Sequence, residues 1–508
     1  MRKHGAKSIF FSLFVFSFLC ARLVAQKPNQ ELNWQGFGEF VAKTMEEWRV
    51  PGLGIAVIKE GKVVFSEGFG LRDINRGLKV TRQSLFPIAS CTKTFTAVSL
   101  AILVDEGKVG WDIPIREYFP SFRLYDAFAS DHITLRDLLA HRSGLPQHYR
   151  MYFNRNITRK EIMERLRFLE PSEDFRERFQ YANINYTIAA YILEQMTQMD
   201  WEEFVQRKVF NPLEMINSNF SVVDSQKTSD YSLPYREEDG EIKEIPFFDV
   251  NLMGMGPAGS INSNAIDIAN WLLFQLNKGK YKGRQVISEA CLSETQKPQI
   301  VMPGGMSGEI FYWSYGMGWA ITSYRGHLML GHGGGFDGFG CYISILPRDN
   351  IGCAVLCNLE GSPVTQILTR TVYDRLLGLS EIPWNQRMKE SLSKSKANLQ
   401  EKEDLLNPET KLFRPLEDYC GEFGHSAYGV LTVKIERDQL SVIHSGLTSP
   451  LAHLFYDIFE TRDKAFGKYR FSFISDNTGA VNSIEVPFEP SVKNIVFRRK
   501  TTIKEERK

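Results

Sequence analysis

Two rhythms of apolar and polar positions alternate along residues 33–385. The stretch "LGIAVIKEGKVVFSEGFG" (53–70) holds two β-rich apolar runs around Lys59-Glu60-Gly61, which predicts a hairpin. In "KTFTAVSLAILVDEG" (93–107), Phe95, Val98 and Ile102 recur at helical period before the stop at Gly107. "YTIAAYILEQMTQ" (186–198) predicts a second helix, with Ile188, Tyr191, Ile192 and Met196 along one face. "HLMLGHGGGFDGFGCYISILPRDNIGCAVLCN" (327–358) reads as strand, glycine turn, strand, tight turn and strand. This mixture predicts an α+β unit, an antiparallel sheet with helices packed against it.

The pattern changes at 386–414. "RMKESLSKSKANLQEKEDLLNPETK" (387–411) is charged and poor in large apolar residues early on, as in a solvated helix or linker. Beyond it, "GVLTVKIERDQLSVIH" (429–444), "YRFSFISDNTGAVNSIEV" (469–486) and "NIVFRR" (494–499) alternate with period two. Residues 415–502 therefore predict a separate all-β unit, a small barrel or sandwich. A chain of 508 residues is too long for one core, which agrees with this division.

Composition narrows the function. The formal net charge is +1, and no long basic run occurs. Nucleic acid and anionic lipid are thus excluded as main partners, leaving a small molecule or short peptide. Residues 1–25 join a basic start (Arg2, Lys3, Lys7) to an apolar run from Ile9 to Leu19 and predict a secretory signal peptide. A lipid anchor at Cys20 is disfavoured by the bulky Leu19 before it. No later stretch reaches the ~20 apolar residues of a membrane span, so an exported protein, periplasmic or extracellular, is expected. Six cysteines remain after the leader, too few for a disulfide scaffold. One bridge from Cys341 to Cys353 or Cys357 is conceivable, but small buried side chains are the stronger reading. The nine histidines are scattered and show no metal spacing, so no metal or cofactor is expected.

The chemistry begins at "FPIASCTKTFTAV" (86–98). Ser90 and Lys93, three apart at a helix start, bring an amine to a hydroxyl. A serine attacks only when something takes its proton; a buried lysine can do so once its pKa falls, or a lysine that stays charged can lower the pKa of a neighbouring base. The spacing alone is weak, since Ser391/Lys394 and Ser393/Lys396 repeat it in the charged segment. "FQYANINY" (179–186) adds Tyr181, a base if its pKa is lowered, and Asn183, a contact for a substrate amide or the lysine. "GHGGGFDGFG" (331–340) adds glycines where a ligand or another backbone must come close. His332 there can hydrogen-bond a substrate carboxylate or the tyrosine. The patterns "GMGPAG" (254–259) and "GGGFDG" (333–338) match a dinucleotide fingerprint, but neither opens a helix after a strand. Cys91 points away from the nucleophile's side of the helix and is expected to be buried and inert.

The ordered trio Ser90-x-x-Lys93, Tyr181-x-Asn183 and His332-x-Gly334 resembles the serine β-lactamase and penicillin-binding-protein superfamily, most of all its class C β-lactamase, esterase and D-peptidase branch. "ITLRDLLAHRSGLP" (133–146), "FNPLEMINSNF" (210–220), "GPAGSINSNAIDIANWL" (256–272) and "YGMGWAI" (315–321) look similar to that family in the same order. "YCGEFGHSAYGVLTV" and "HLFYDIFE" resemble the lipocalin-like β module appended to some members. The resemblance implies a five-stranded antiparallel sheet with helices on both sides and a helical insertion carrying Tyr181. It implies Ser90 as the acylated nucleophile, Lys93 and Tyr181 sharing the proton work, and Asn183, His332 and Gly334 meeting substrate. The N–H groups of Ser90 and Gly335 would form the oxyanion hole. His332 stands where β-lactamases usually have lysine, which favours an esterase, amidase or D-peptidase, or acyl transfer to a hydroxyl. A penicillin- or peptidoglycan-binding protein that acylates without turnover is the alternative.

Overall fold

The computed structural model describes residues 34–152, 157–247, 254–305, 308–400, 412 and 414–500, without side chains for 395–400. The signal peptide and Cys20 lie outside the described residues. A nine-stranded antiparallel sheet forms the centre, in the order β4-β5-β6-β7-β8-β9-β1-β2-β3. Its strands are β1 (Gly52–Lys59), β2 (Lys62–Asp73), β3 (Leu78–Lys79), β4 (Ile300–Val301), β5 (Ile310–Tyr315), β6 (Ala320–Tyr324), β7 (His327–Phe336), β8 (Phe339–Leu346) and β9 (Ile351–Cys357). The sheet's N-terminal strand β1 pairs with its C-terminal strand β9, with Leu53 opposite Cys357. The sheet exceeds the five strands that the resemblance implied. Ile310–Tyr315 and short edge pieces extend it on either side.

The predicted hairpin is β1–β2. Glu60 (φ 51°) and Gly61 (φ 73°) make its two-residue turn, whose left-handed backbone matches strand twist. Side chains of β1 alternate between two cores. Leu53, Ile55 and Val57 join the core under helices α1 (Phe37–Glu47) and α5 (Val364–Leu377). Ala56 and Ile58 face the other core, with α2 (Thr92–Asp105), α3 (Asn183–Thr197) and α4 (Ala265–Leu276). Burial on both faces explains why this strand reads as a continuous apolar run.

Both predicted helices exist, but neither shows the single buried stripe that their spacing suggested. Every residue from Thr92 to Leu103 of α2 is buried, and so is every residue from Ile184 to Leu193 of α3. Each runs through the middle of the helical insertion between β3 and β4. Polar positions such as Thr94 and Ser99 are satisfied there by carbonyls of their own helix.

The charged segment starts as helix α6 (Trp384–Gln400). It is anchored by the Trp384 indole, which donates to Asp374 Oδ2 at 2.9 Å. The C-terminal strands β10 (Gly421–His425), β11 (Gly429–Glu436), β12 (Gln439–His444), β13 (Leu447–Phe455), β14 (Ile458–Thr461), β15 (Arg470–Ser475), β16 (Val481–Val486) and β17 (Ile495–Arg499) close into an antiparallel barrel. β17 pairs back onto β10 through Phe423 and Arg499. Aromatic side chains, among them Tyr419, Phe423, Phe459, Phe473 and Phe497, are buried and fill a barrel of this size. No described helix is long and apolar enough to cross a membrane.

The six described cysteines are free thiols. Cys341 lies opposite Leu356, between the two candidate partners on β9, so the conceived bridge does not form. Its sulfur faces Cys91 Sγ instead, at 3.5 Å.

The barrel buries histidines in neutral form. Burial holds His425 and His444 down to about 4, and the His425 Nδ1 accepts from the N–H groups of Ala427 and Tyr428. The unfolded chain, with ordinary imidazoles near 6.5, binds these protons first on acidification. The stability they confer is complete above pH 6.5 and falls as pH drops toward 4. Chemical denaturation between pH 7 and 4 is expected to show this decline, and His444→Gln to flatten it.

Candidate active site

Ser90 lies in a 3-10 turn, Ala89–Cys91, that leads directly into α2. Ala89 before it adopts φ 47°, a left-handed conformation that costs an alanine about 1–2 kcal/mol. Two main-chain contacts hold this strain. Ile88 N–H donates to Ile261 O at 2.9 Å, and Cys91 N–H donates to Ile88 O at 3.1 Å. The bend exposes the hydroxyl to a cleft of about 480 Å³ that Asn183 and Gly335 also line.

One turn on, Lys93 is fully buried. Its Nζ lies 3.1 Å from Ser90 Oγ and 2.8 Å from the Ala258 carbonyl oxygen. It also sits 4.9 Å from the centre of the Tyr181 ring. The threonines of "CTKTFT" explain this placement. The Thr92 hydroxyl accepts from Ile261 N–H (3.1 Å), and the Thr96 hydroxyl donates to Pro257 O (2.7 Å). These ties hold the one-turn helix Gly256–Gly259 over the lysine. Burial drives the Lys93 pKa well below its usual 10.5, and the one group acting the other way is the Cys91 thiol, not a carboxylate.

Tyr181 lies beside the Ser90–Lys93 pair, Ser90 being one of the groups that act on its hydroxyl, so hydroxyl, amine and phenol come together. The lowered pKa that a role as base would require is not found. Burial raises the Tyr181 pKa well above 10, and Ser90 offsets only part of that. Burial thus favours the neutral form of both groups, the protonated phenol and the free amine. Asn183, first residue of α3, lines the cleft. Its Oδ1 is buried and meets no hydrogen-bonding group among the described residues.

His332 is buried beneath the cleft. Its Nδ1–H donates to Gly333 O at 2.7 Å, and its Nε2 accepts from the Tyr315 hydroxyl at 3.0 Å. Its ring bonds Tyr315 rather than Tyr181. Burial first, then the charge of Lys93, holds it down to about 3, so it is neutral throughout the physiological range. Gly334 packs against the nucleophile's turn, and a Cβ there would come within 2.2 Å of Ile88 O. The sequence-level expectation of a close backbone approach applies to this glycine, while Gly335 reaches the cleft. Cys91 is buried, and its thiol donates to His332 O at 3.1 Å.

His141 was missed by the sequence reading, although it sits in "ITLRDLLAHRSGLP". Its carbonyl accepts from Gln180 N–H (2.8 Å), its Nδ1 accepts from Ala182 N–H (3.2 Å), and its ring centre lies 4.3 Å from that of Tyr181. It braces the tyrosine on both chain neighbours and on the ring itself. Its left-handed φ of 56° left no mark in composition or spacing. The carboxylate of buried Asp137 accepts from Arg142 and Arg176, tying together the segments that flank this brace. Tyr149, Met255, Phe336, Asp337 and Glu360, all unpredicted, also line the cleft.

A serine bent into a cleft, with a buried amine and a phenol at its hydroxyl, is the constellation of a serine acyl-transfer enzyme. The family model for Beta-lactamase matches residues 37–376, and the chain belongs to that family. Membership supports a serine hydrolase in general. A second model, a domain of unknown function (DUF3471), matches residues 407–499. The chain is 27% identical over 452 residues to the unguisins hydrolase ungD' of Aspergillus campestris, covering 82% of this chain and 81% of that one. It is 26% identical over 338 residues to protein flp of Staphylococcus aureus, covering 66% of this chain and 65% of flp. Among solved structures, the octameric penicillin-binding protein homologue from Pyrococcus abyssi superposes with a TM-score of 0.60 at 25% identity, over 92% of this chain and all of that one. The class C β-lactamase from Rhodobacter sphaeroides gives 0.53 at 19% identity, over 67% and 98%, and shows the fold.

Gly334→Ala is expected to displace the turn that carries Ser90, because the group its Cβ would strike, the Ile88 carbonyl, is backbone. Labelling of Ser90 by a fluorophosphonate should slow by about 100-fold, the scale of a 1 Å misplacement, whereas Cys91→Ala should label at close to the wild-type rate.

Proposed function

We propose that the protein is an exported serine hydrolase that forms a covalent acyl-enzyme on Ser90 with a small, uncharged ester or amide. The observation that carries this reading is the 3.1 Å approach of a solvent-stripped Lys93 amine to the Ser90 hydroxyl at the floor of the cleft. The unprotonated amine takes the hydroxyl proton as Oγ bonds to the substrate carbonyl carbon. The Ser90 and Gly335 N–H groups receive the developing oxyanion. Tyr181 gives its proton to the departing oxygen or nitrogen and recovers one from Lys93. Water, or an alcohol acceptor, then repeats the sequence on the ester. Asn183 Oδ1, an unpaired buried acceptor, suits a substrate N–H.

The charge of the cleft supports an uncharged substrate. Its lining holds no lysine or arginine, its two carboxylates, Asp337 and Glu360, are both paired with Arg236, and His332 is neutral. A β-lactam or D-alanyl carboxylate would thus meet no unpaired cation in the lining. The hydrolase named among the relatives spans most of this chain, which supports turnover over a purely binding role. The proposed division is a leader at 1–25, a hydrolase unit at 33–385, a linker at 386–414 and a lipocalin-like unit at 415–502.

A fluorophosphonate should label wild type and fail on Ser90→Ala; equal labelling would refute the proposal. Lys93→Ala should lose at least ~100-fold in kcat, the scale of a lost proton-transfer group. In a steady-state panel, neutral p-nitrophenyl esters should turn over much faster than a chromogenic cephalosporin.

A further inference from the structure

The barrel reaches the cleft through one short segment. Tyr149 lines the cleft, and the residues on either side of it are gripped by the barrel. His148 N–H donates to Glu489 Oε2 at 2.8 Å. The His148 Nδ1 accepts from the Tyr428 hydroxyl at 2.8 Å, while its Nε2–H donates to Glu170 O at 2.8 Å. Arg150, 3% exposed, donates to Phe466 O at 2.6 Å. Its guanidinium lies 4.4 Å from the Phe466 ring centre, 5.2 Å from Tyr469 and 5.3 Å from Phe488. No carboxylate pairs with it among the described residues.

Burying a cation and an imidazole between two units is costly unless their geometry is held tightly. Aromatic faces and a carbonyl hold Arg150 here, a cation–π clamp rather than a salt bridge. The same segment also touches the substrate side, where Gln147 Oε1 accepts from Asn183 N–H (3.2 Å) and from the Tyr152 hydroxyl (3.3 Å). Residues 147–152 thus join barrel to cleft, with Tyr149, Met255 and Phe336 forming the cleft's apolar flank.

We infer that the C-terminal barrel is a positioning element for substrate specificity. By clamping His148 and Arg150 it fixes Tyr149, which receives a bulky apolar group of the substrate. Arg150 and Tyr428 are positioning residues that act through Tyr149. The inference rests on Ser90 being the reacting centre, and fluorophosphonate labelling of the wild type tests that separately.

The test compares kcat and KM for p-nitrophenyl acetate and p-nitrophenyl 4-phenylbutyrate. Arg150→Met should lower kcat/KM for the phenylbutyrate by about 10-fold or more, chiefly through KM, because its apolar group loses a fixed wall. The acetate, which does not reach that wall, should be nearly unaffected. Tyr428→Phe should shift the ratio in the same direction by less. In a double-mutant cycle, Arg150→Met should add nothing to Tyr149→Ala on the phenylbutyrate. Parallel losses on both esters, an unchanged ratio or full additivity would overturn the inference. Should Arg150→Met fail to fold, Tyr428→Phe decides: an unchanged ester ratio there overturns it too.

Discussion

An amine buried without a carboxylate is the constraint around which this site is built. Taking a lysine out of water penalises its charged form, and a nearby carboxylate would undo that effect. Lys93 receives a carbonyl, a hydroxyl and two aromatic faces instead. The surroundings follow the same rule. His332 and His141 are held neutral beside it, and Tyr181 and Tyr186 keep their protons. Around the amine, the pocket favours neutral forms throughout.

Building such a pocket requires rigid supports. The all-round burial of α2 and α3 supplies them, because both run through the packed centre of the helical insertion. The strained Ala89, the glycine contact at Gly334 and the His141 brace then aim three side chains at one point. Strain held at the nucleophile by over-determined packing is the expected arrangement where geometry matters more than local stability.

Much of this was legible in the sequence wherever the signal was local. The β1–β2 hairpin followed from Lys59-Glu60-Gly61, the helix starts from the spacing after Ser90 and Asn183, and the barrel from alternation after residue 415. Family-ordered motifs brought Ser90, Lys93 and Tyr181 to one place. What stayed hidden depends on contacts between distant segments. Spacing showed a stripe on α2 and α3 but could not reveal that polar positions there are buried too. Tyr181 was a base only on condition that its pKa fell, and sequence cannot report that desolvation raises it instead. The hydrogen bond of His332 to Tyr315, seventeen residues earlier, could not be read from spacing. "GMGPAG" drew notice only as a mismatched nucleotide fingerprint, yet its Ala258 carbonyl accepts from Lys93.

The account turns on the protonation state of one amine. Carbon-13 NMR of protein carrying lysine labelled at Cε, with the Lys93 resonance assigned by its loss in Lys93→Arg, reads that state directly in the resting enzyme. A titration midpoint well below 10.5, with the free amine present at neutral to mildly alkaline pH, is the predicted result. A Lys93 that stays an ammonium up to the range of an ordinary surface lysine would contradict it.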